Sequence, residues 1–284
     1  YVHRVLRRSA CRVARPEDAD VFVVPVYSSC NDLHKEPSAT TRIVEALGDS
    51  FVARAEDHVF LLTCEMWKLA DWRRLRPARF AVVEARPLDC PAAGGQCCHC
   101  FDCFGPRDFV IPSATPAIEI QRFTHFNREP GDRQLLASWH GEHAGTQTRA
   151  DVAQGYVDVQ ETVRPRLIRE LGRKAGMSVG GPTLRYAYTM GNSHFCLVPK
   201  GRGWWTVRLF EALFLGCIPV LLSDYYVPPF TAWLDWQRFT LRFPMHGSYE
   251  ELYEQLREIR ADDARLTAYH EAVREFRCWF DYLQ

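Results

Sequence analysis

Short apolar runs alternate with polar or amphipathic connections along most of the chain. Ala19 to Ser29, ADVFVVPVYSS, is β-branched and apolar and ends in Pro25 and small polar residues, which predicts a buried strand followed by a loop. Val59 to Thr63, Phe80 to Val83, Phe109 to Pro112 and Leu135 to Trp139 predict four more strands, the last ending at Gly141. Continuous apolar strands between helical or polar connections are the pattern of parallel sheets covered on both faces. Val159 to Gly172 predicts a charged helix whose apolar residues Val163, Leu167 and Leu171 stand four apart. WLDWQRFTLRF predicts a late strand, and the chain from Ser248 onward reads as helical, with Ser248 and Glu251 forming a capping box. The pattern is α/β and divides into two halves, 1–145 and 146–284, with the final helix expected to pack back on the first. Ligands of open parallel sheets bind outside the carboxyl ends of the strands, so two facing halves would enclose a cleft.

Composition narrows the function classes. Of 284 residues, 47% are hydrophobic and the formal net charge is zero. A folded protein is expected, with no global electrostatic attraction to nucleic acid or to an anionic membrane. No apolar run reaches the roughly 18 residues that read as a membrane span, and the opening YVHRVLRRSA carries no signal-peptide pattern, as expected of a fragment or trimmed chain. There are eleven cysteines. Cys196 and Cys217 lie in apolar runs and read as buried thiols. Cys97, Cys98, Cys100 and Cys103 cluster around His99. Disulfides in an oxidising lumen are expected there ahead of zinc, because a second CxxC pair at zinc spacing is missing.

The chemistry concentrates in HFCLVPKGRGWWTVRLFEALFLGCIPVLLSD, His194 to Asp224. It reads as strand, glycine-rich basic loop, helix, strand. Thr206 is the expected N-cap, Leu209, Leu213 and Gly216 share a face, and Gly216 ends the helix. Arg208 and Glu211 share the other face. Lys200, Arg202 and Arg208 crowd the positive end of the helix dipole, a placement that makes sense when an anion completes it. Gly201 and Gly203 would let backbone approach that anion, and guanidinium groups supply forked donors to phosphate oxygens. The competing reading is a surface ion pair of Arg208 with Glu211, worth about 0–1 kcal/mol, beside an ordinary glycine turn. The segment has neither the Walker sequence nor G-x-G-x-x-G.

SHFCLVPKGRGWWTVRLFEALFLGCIPVLLSDYYVPPF resembles the exostosin-type glycosyltransferases. The family pattern S-x-F-C-L, P-x-G, R-x-x-E-A, G-C-I-P-V and P-F is met by Ser193, Phe195, Cys196, Leu197, Pro199, Gly201, Arg208, Glu211, Ala212, Gly216 to Val220, Pro229 and Phe230. PEDADVFVVPVYSS, EDHVFLL, CHCFDCFGPRDFVIP, RQLLASWHG and TVRPRLIREL extend the likeness over nearly the whole chain. The resemblance implies a glycosyltransferase-B fold, two Rossmann-like domains facing a cleft, with the acceptor side first and the nucleotide-sugar side second. It implies inverting, metal-independent transfer from a nucleoside-diphosphate sugar, expected to be a UDP-sugar, to a glycan or polysaccharide acceptor, with no cofactor. Arg208 would hold the diphosphate and Glu211 the ribose hydroxyls. Gly201, Arg202 and Thr206 would sit in the donor loop. Arg164 is a second diphosphate candidate, and Gly141 would let the first half approach the donor. A homo- or hetero-dimer and a Golgi lumenal location, through an N-terminal anchor outside this chain, are compatible with the likeness.

An inverting transfer needs a base for the acceptor hydroxyl and positive charge on the leaving diphosphate. Glu65, directly after HVFLLTC, is the first candidate base, with Asp32 and His34 as alternatives. Relatives carry D-x-G where this chain has Glu65-Met66-Trp67, and a solvated acidic residue at a helix start is the bland reading of Glu65. A catalytically silent subunit that binds a partner or glycan is therefore the rival to the enzyme.

Overall fold

The computed structural model describes residues 6–26, 39–62, 72–83, 107–113, 115–142, 157–201, 205–224 and 226–281. The chain divides into two compact units, Tyr1–Ile111 and Pro112–Gln284.

The first unit holds β1 (Phe22–Val26), α1 (Ala39–Arg54), β2 (His58–Leu62), β3 (Arg79–Val82) and β4 (Phe109–Val110). Among the described residues its four strands run parallel in the order β1-β2-β3-β4. Phe60, Leu62, Phe80, Val82 and Val110 are buried, and the Phe60 and Phe80 rings stack with centroids 5.6 Å apart. Pro25 is tolerated because β1 is an edge strand and a missing N–H interrupts no central ladder. His58 is a satisfied core histidine: it is buried, and its ring Nδ1 bonds Arg54 O at 2.8 Å. Asp108, the acidic residue before β4, accepts from Phe80 N–H at 2.7 Å and from Arg76 Nη1 at 3.0 Å. That buried carboxylate joins β3 to the segment before β4, and Arg76 lies over the Phe80 ring.

The second unit contains α2 (Ala117–Phe126), β5 (Leu135–His140), α3 (Val157–Leu171), β6 (Met177–Gly180), α4 (Tyr186–Gly191), β7 (Ser193–Pro199) and α5 (Arg208–Phe214). It continues with β8 (Ile218–Leu222), β9 (Leu241–Arg242), α6 (Tyr249–Ala261) and α7 (Asp263–Phe276). The sheet is parallel throughout, in the order β6-β5-β7-β8-β9. The strand Leu135–His140, which the sequence pattern places in the first half, is thus an inner strand of the second sheet. The division falls at Ile111, ahead of the expected boundary at 145. The physical reason is pairing on both sides: Ala137 is opposite Met177 on one neighbour and Phe195 on the other, so the strand is buried where an edge would expose it.

Val163, Leu167 and Leu171 of α3 are all at most 1% exposed, and each such burial contributes roughly 1.5–3 kcal/mol. The late strand is short, Leu241–Arg242, because a 3-10 turn at Trp236–Arg238 occupies the middle of the expected stretch. The terminal helical stretch holds two helices, α6 and α7. Asp262 interrupts it, and its carboxylate accepts from Arg265 N–H to cap α7. Ser248 caps α6 by accepting from Glu251 N–H. Cys196 and Cys217 are not free thiols. They lie on β7 and just before β8, with Cα atoms 5.8 Å apart, and form a disulfide. The cysteine cluster at 97–103 lies outside the described residues.

Candidate active site

In chain order the strands of the second sheet read 2-1-3-4-5, so the order reverses between β5 and β7. The connections leaving these two strands turn to opposite sides there, which opens a crevice beyond their carboxyl ends. Gly141 follows β5, and Lys200 and Gly201 follow β7. Arg164 spans the gap: its Nη1 donates to Glu142 O and its Nη2 to Lys200 O, both at 2.9 Å. One guanidinium therefore ties the two strand ends at the switch point.

Arg208, the first residue of α5, joins it. A methyl on Gly141 would stand 3.7 Å from Arg208 Nη2, so Gly141 approaches the basic helix start from within the second unit and not, as expected, from the first half. Arg208 rests on Tyr186, 5.4 Å from the ring centroid, and its Nη1 points to Met190 Sδ at 3.8 Å. Burial pushes both guanidinium groups below their ordinary range. For Arg164 the charge of Arg208 pushes further in the same direction. No carboxylate oxygen lies within 4.0 Å of either arginine among the described residues. The surface ion pair of Arg208 with Glu211 is therefore not formed. Two half-buried cations converge without an acidic partner, a costly arrangement unless an anion joins them.

Glu211 lies one turn along α5, half-buried. Burial pushes its carboxyl up, and Arg208 opposes that by favouring the ionised form. Its side chain makes no hydrogen bond among the described residues, which leaves both oxygens available as acceptors.

Thr206 does what was expected of an N-cap hydroxyl: Val207 is already helical, at φ −58° and ψ −26°, and Thr206 Oγ1 accepts from Arg208 N–H at 3.4 Å. The C-terminal expectation holds. Gly216 has φ +64°, its N–H donates to Leu213 O, and Cys217 N–H donates to Ala212 O, a Schellman ending. Gly201 is needed by its own loop: a Cβ there would stand 2.5 Å from Trp205 O, the carbonyl its N–H bonds. Arg202 and the base candidates Glu65, Asp32 and His34 lie outside the described residues. His140, beside the crevice, has both ring nitrogens engaged, one with Gly181 O and the other with Ser178 Oγ.

Sequence reasoning missed Tyr186, Met190 and Trp139. The first two sit four apart on α4 and form the apolar backing of Arg208. Trp139 packs against Gly141 and lies 5.9 Å under Arg164. Their signal was present as an i, i+4 aromatic–thioether pair directly ahead of the S-x-F-C-L strand, but its partner on α5 is visible only in space. From α2, Glu119 raises and Arg122 lowers the Glu211 carboxyl, two influences the sequence did not suggest.

The profile of the Exostosin GT47 domain matches residues 1–259. A protein of Oryza sativa subsp. japonica named "Probable glucuronosyltransferase Os03g0107900" is 28% identical over 85% of this chain and 58% of its own length. A probable glucuronoxylan glucuronosyltransferase of Arabidopsis thaliana is 26% identical over 84% of this chain and 53% of its own length. The chain thus spans under two thirds of these relatives. HepE of Anabaena, solved in complex with UDP, is 11% identical over 93% of this chain and 96% of that one, with a TM-score of 0.40.

Proposed function

Because the chain belongs to the Exostosin GT47 family, we propose that it is an inverting, metal-independent glycosyltransferase that moves a sugar from a UDP-sugar to a glycan acceptor. The observation that carries the reading is the convergence of Arg164 and Arg208 at the switch point of the second sheet, with no carboxylate within ion-pair distance among the described residues.

The chemistry follows from those charges. As the glycosidic bond to the diphosphate breaks, negative charge builds on the leaving phosphate oxygens. Fixed guanidinium groups in a water-poor crevice stabilise that charge more than they stabilise the bound donor, and so lower the barrier. Arg208 presents its donors with an apolar back of Tyr186 and Met190, so its polar edge is left for the phosphate. Arg164 spends donors on Glu142 O and Lys200 O and contributes mainly charge and rigidity. Glu211 accepts from the ribose hydroxyls. Gly201, Arg202 and Thr206 form the loop around the diphosphate. A base in the first unit, Glu65 or else Asp32 or His34, takes the acceptor hydroxyl proton. The product carries the inverted configuration, because the acceptor oxygen attacks opposite the departing UDP. We place the enzyme in the Golgi lumen.

The test is donor hydrolysis and transfer by the full chain with a panel of UDP-sugars, glucuronosyl and xylosyl donors first because relatives bear those names. Turnover that survives chelation supports the proposal. UDP binding without turnover of any donor would favour a silent, glycan- or partner-binding subunit. Absence of UDP binding at millimolar concentration would remove the nucleotide-sugar reading altogether.

A further inference from the structure

A second cationic cavity lies at the other end of α5. It has a volume of about 70 Å³ and is lined by Arg128, Arg133, Arg274, Arg277, Glu129 and His270, with Gly216 at its wall. Arg208 opens α5 and Gly216 follows its end, so the two places are separated along the helix by about 12 Å. The cavity has room for about two water molecules. That is the size of a small oxyanion and far too small for a nucleotide.

Its charge is one-sided. Among the described residues four guanidinium groups face one carboxylate, and Glu129 is itself exposed. Arg133 is only 4% exposed, yet its acceptors are all neutral: Ser193 O, Arg128 O, Leu215 O and Asn127 Oδ1. Burial pushes its guanidinium down to about 10, opposed by Glu129. Arg128 donates to Asn192 Oδ1 and Tyr188 OH. Arg274 and Arg277 have no hydrogen-bond or ion-pair partner for their side chains among the described residues. Helix-end neutralisation accounts for Arg133, which donates to the carbonyl of Leu215, the C-cap of α5. It does not account for Arg274 and Arg277, which donate to no carbonyl there. Burial holds His270 down to about 3, so its ring, in contact with Gly216 O and His194, adds no further positive charge.

We infer that this cavity is a binding site for a small oxyanion, a phosphate or sulfate group held by Arg274 and Arg277 against the charge of Arg133. The group is either a free ion or the terminal ester of a larger molecule. Its occupation would join the start of β5, the end of α5 and the end of α7 through one ligand.

The experiment is titration calorimetry of the full chain with inorganic phosphate at constant ionic strength, in an Arg208→Ala background that weakens the crevice as a competing site. Saturable binding is expected. Arg274→Gln with Arg277→Gln, on exposed and half-exposed side chains, should weaken it by at least about tenfold. Glu129→Gln should tighten it, an effect opposite in sign that a general loss of fold does not produce. A parallel titration with glucose 1-phosphate separates the sources: tighter binding than inorganic phosphate assigns the site to an ester, equal or weaker binding to the free ion. No saturable phosphate binding, or binding unchanged in the Arg274→Gln/Arg277→Gln protein, overturns the inference. Failure of UDP to bind the unaltered chain would bear on the crevice alone and leave this cavity unaffected.

Discussion

Gly141 and Arg208 meet at the carboxyl end of β5, where a methyl on the glycine would stand 3.7 Å from Arg208 Nη2 and 3.1 Å from Trp139 Cζ2. The glycine has no left-handed backbone to protect. Its value is space beside a guanidinium and an indole. Gly141→Ala should therefore fold, with the Trp139 ring displaced by a few tenths of an ångström. UDP affinity should fall about tenfold, because small misplacements of a charged donor are expensive. Calorimetry on the purified variant checks this, and unchanged affinity would separate Gly141 from the donor site.

Arg208→Ala removes the better-presented cation. Loss of charge-assisted hydrogen bonds to a diphosphate should weaken UDP binding by about 10- to 100-fold. Thermal stability should hold or rise, since the variant also relieves a buried charge that lacks a carboxylate. A guanidinium fork also predicts that Arg208→Lys recovers little of the loss. A melting scan beside a binding isotherm reads both. A large drop in melting temperature would mark Arg208 as structural.

His194 and His270 set an acid limit on stability. Burial, the main cause in each, holds them down to about 4 and about 3 from the ordinary 6.5. Their shared hydrogen bond, 3.1 Å between Nδ1 and Nε2, needs one of the two facing nitrogens unprotonated and is lost when both rings are charged. In the unfolded chain both take up protons near 6.5, so unfolding binds protons and stability is present above that pH. It is lost as pH falls from about 6.5 toward about 4, by up to about 1.4 kcal/mol per pH unit for each proton. Denaturant unfolding across that range should show the slope, and His270→Gln should flatten it. An equal slope in the variant would contradict the assignment.

Gly216→Ala should be severe for two independent reasons. Its φ of +64° disfavours any side chain, and a Cβ would lie 2.4 Å from Asn127 Oδ1 and 2.8 Å from Arg133 Nη2. A cost of at least about 2 kcal/mol is expected, measured by chemical denaturation. A loss near zero would mean that the end of α5 is not held as described.

The sequence alone settled what local physics controls. Apolar runs marked β2, β3 and β5 to within a residue, the four-residue spacing of Val163, Leu167 and Leu171 marked the buried face of α3, and Gly216 marked the end of α5, because each depends on neighbours within a turn or a pleat; β1, expected as a buried strand, is a partly exposed edge, and β4 is shorter than its run. It also named Gly141, Arg164, Arg208 and Glu211 as members of one site. Which sheet owns Leu135–His140 was decided by the fold, since parallel strands pair through long crossovers that no local pattern encodes. The same holds for the Cys196–Cys217 bond, the Tyr186 and Met190 backing of Arg208, and the arginine-lined cavity beyond Gly216. Each brings together residues whose energies depend on burial and mutual distance, quantities that exist only once the chain has closed on itself.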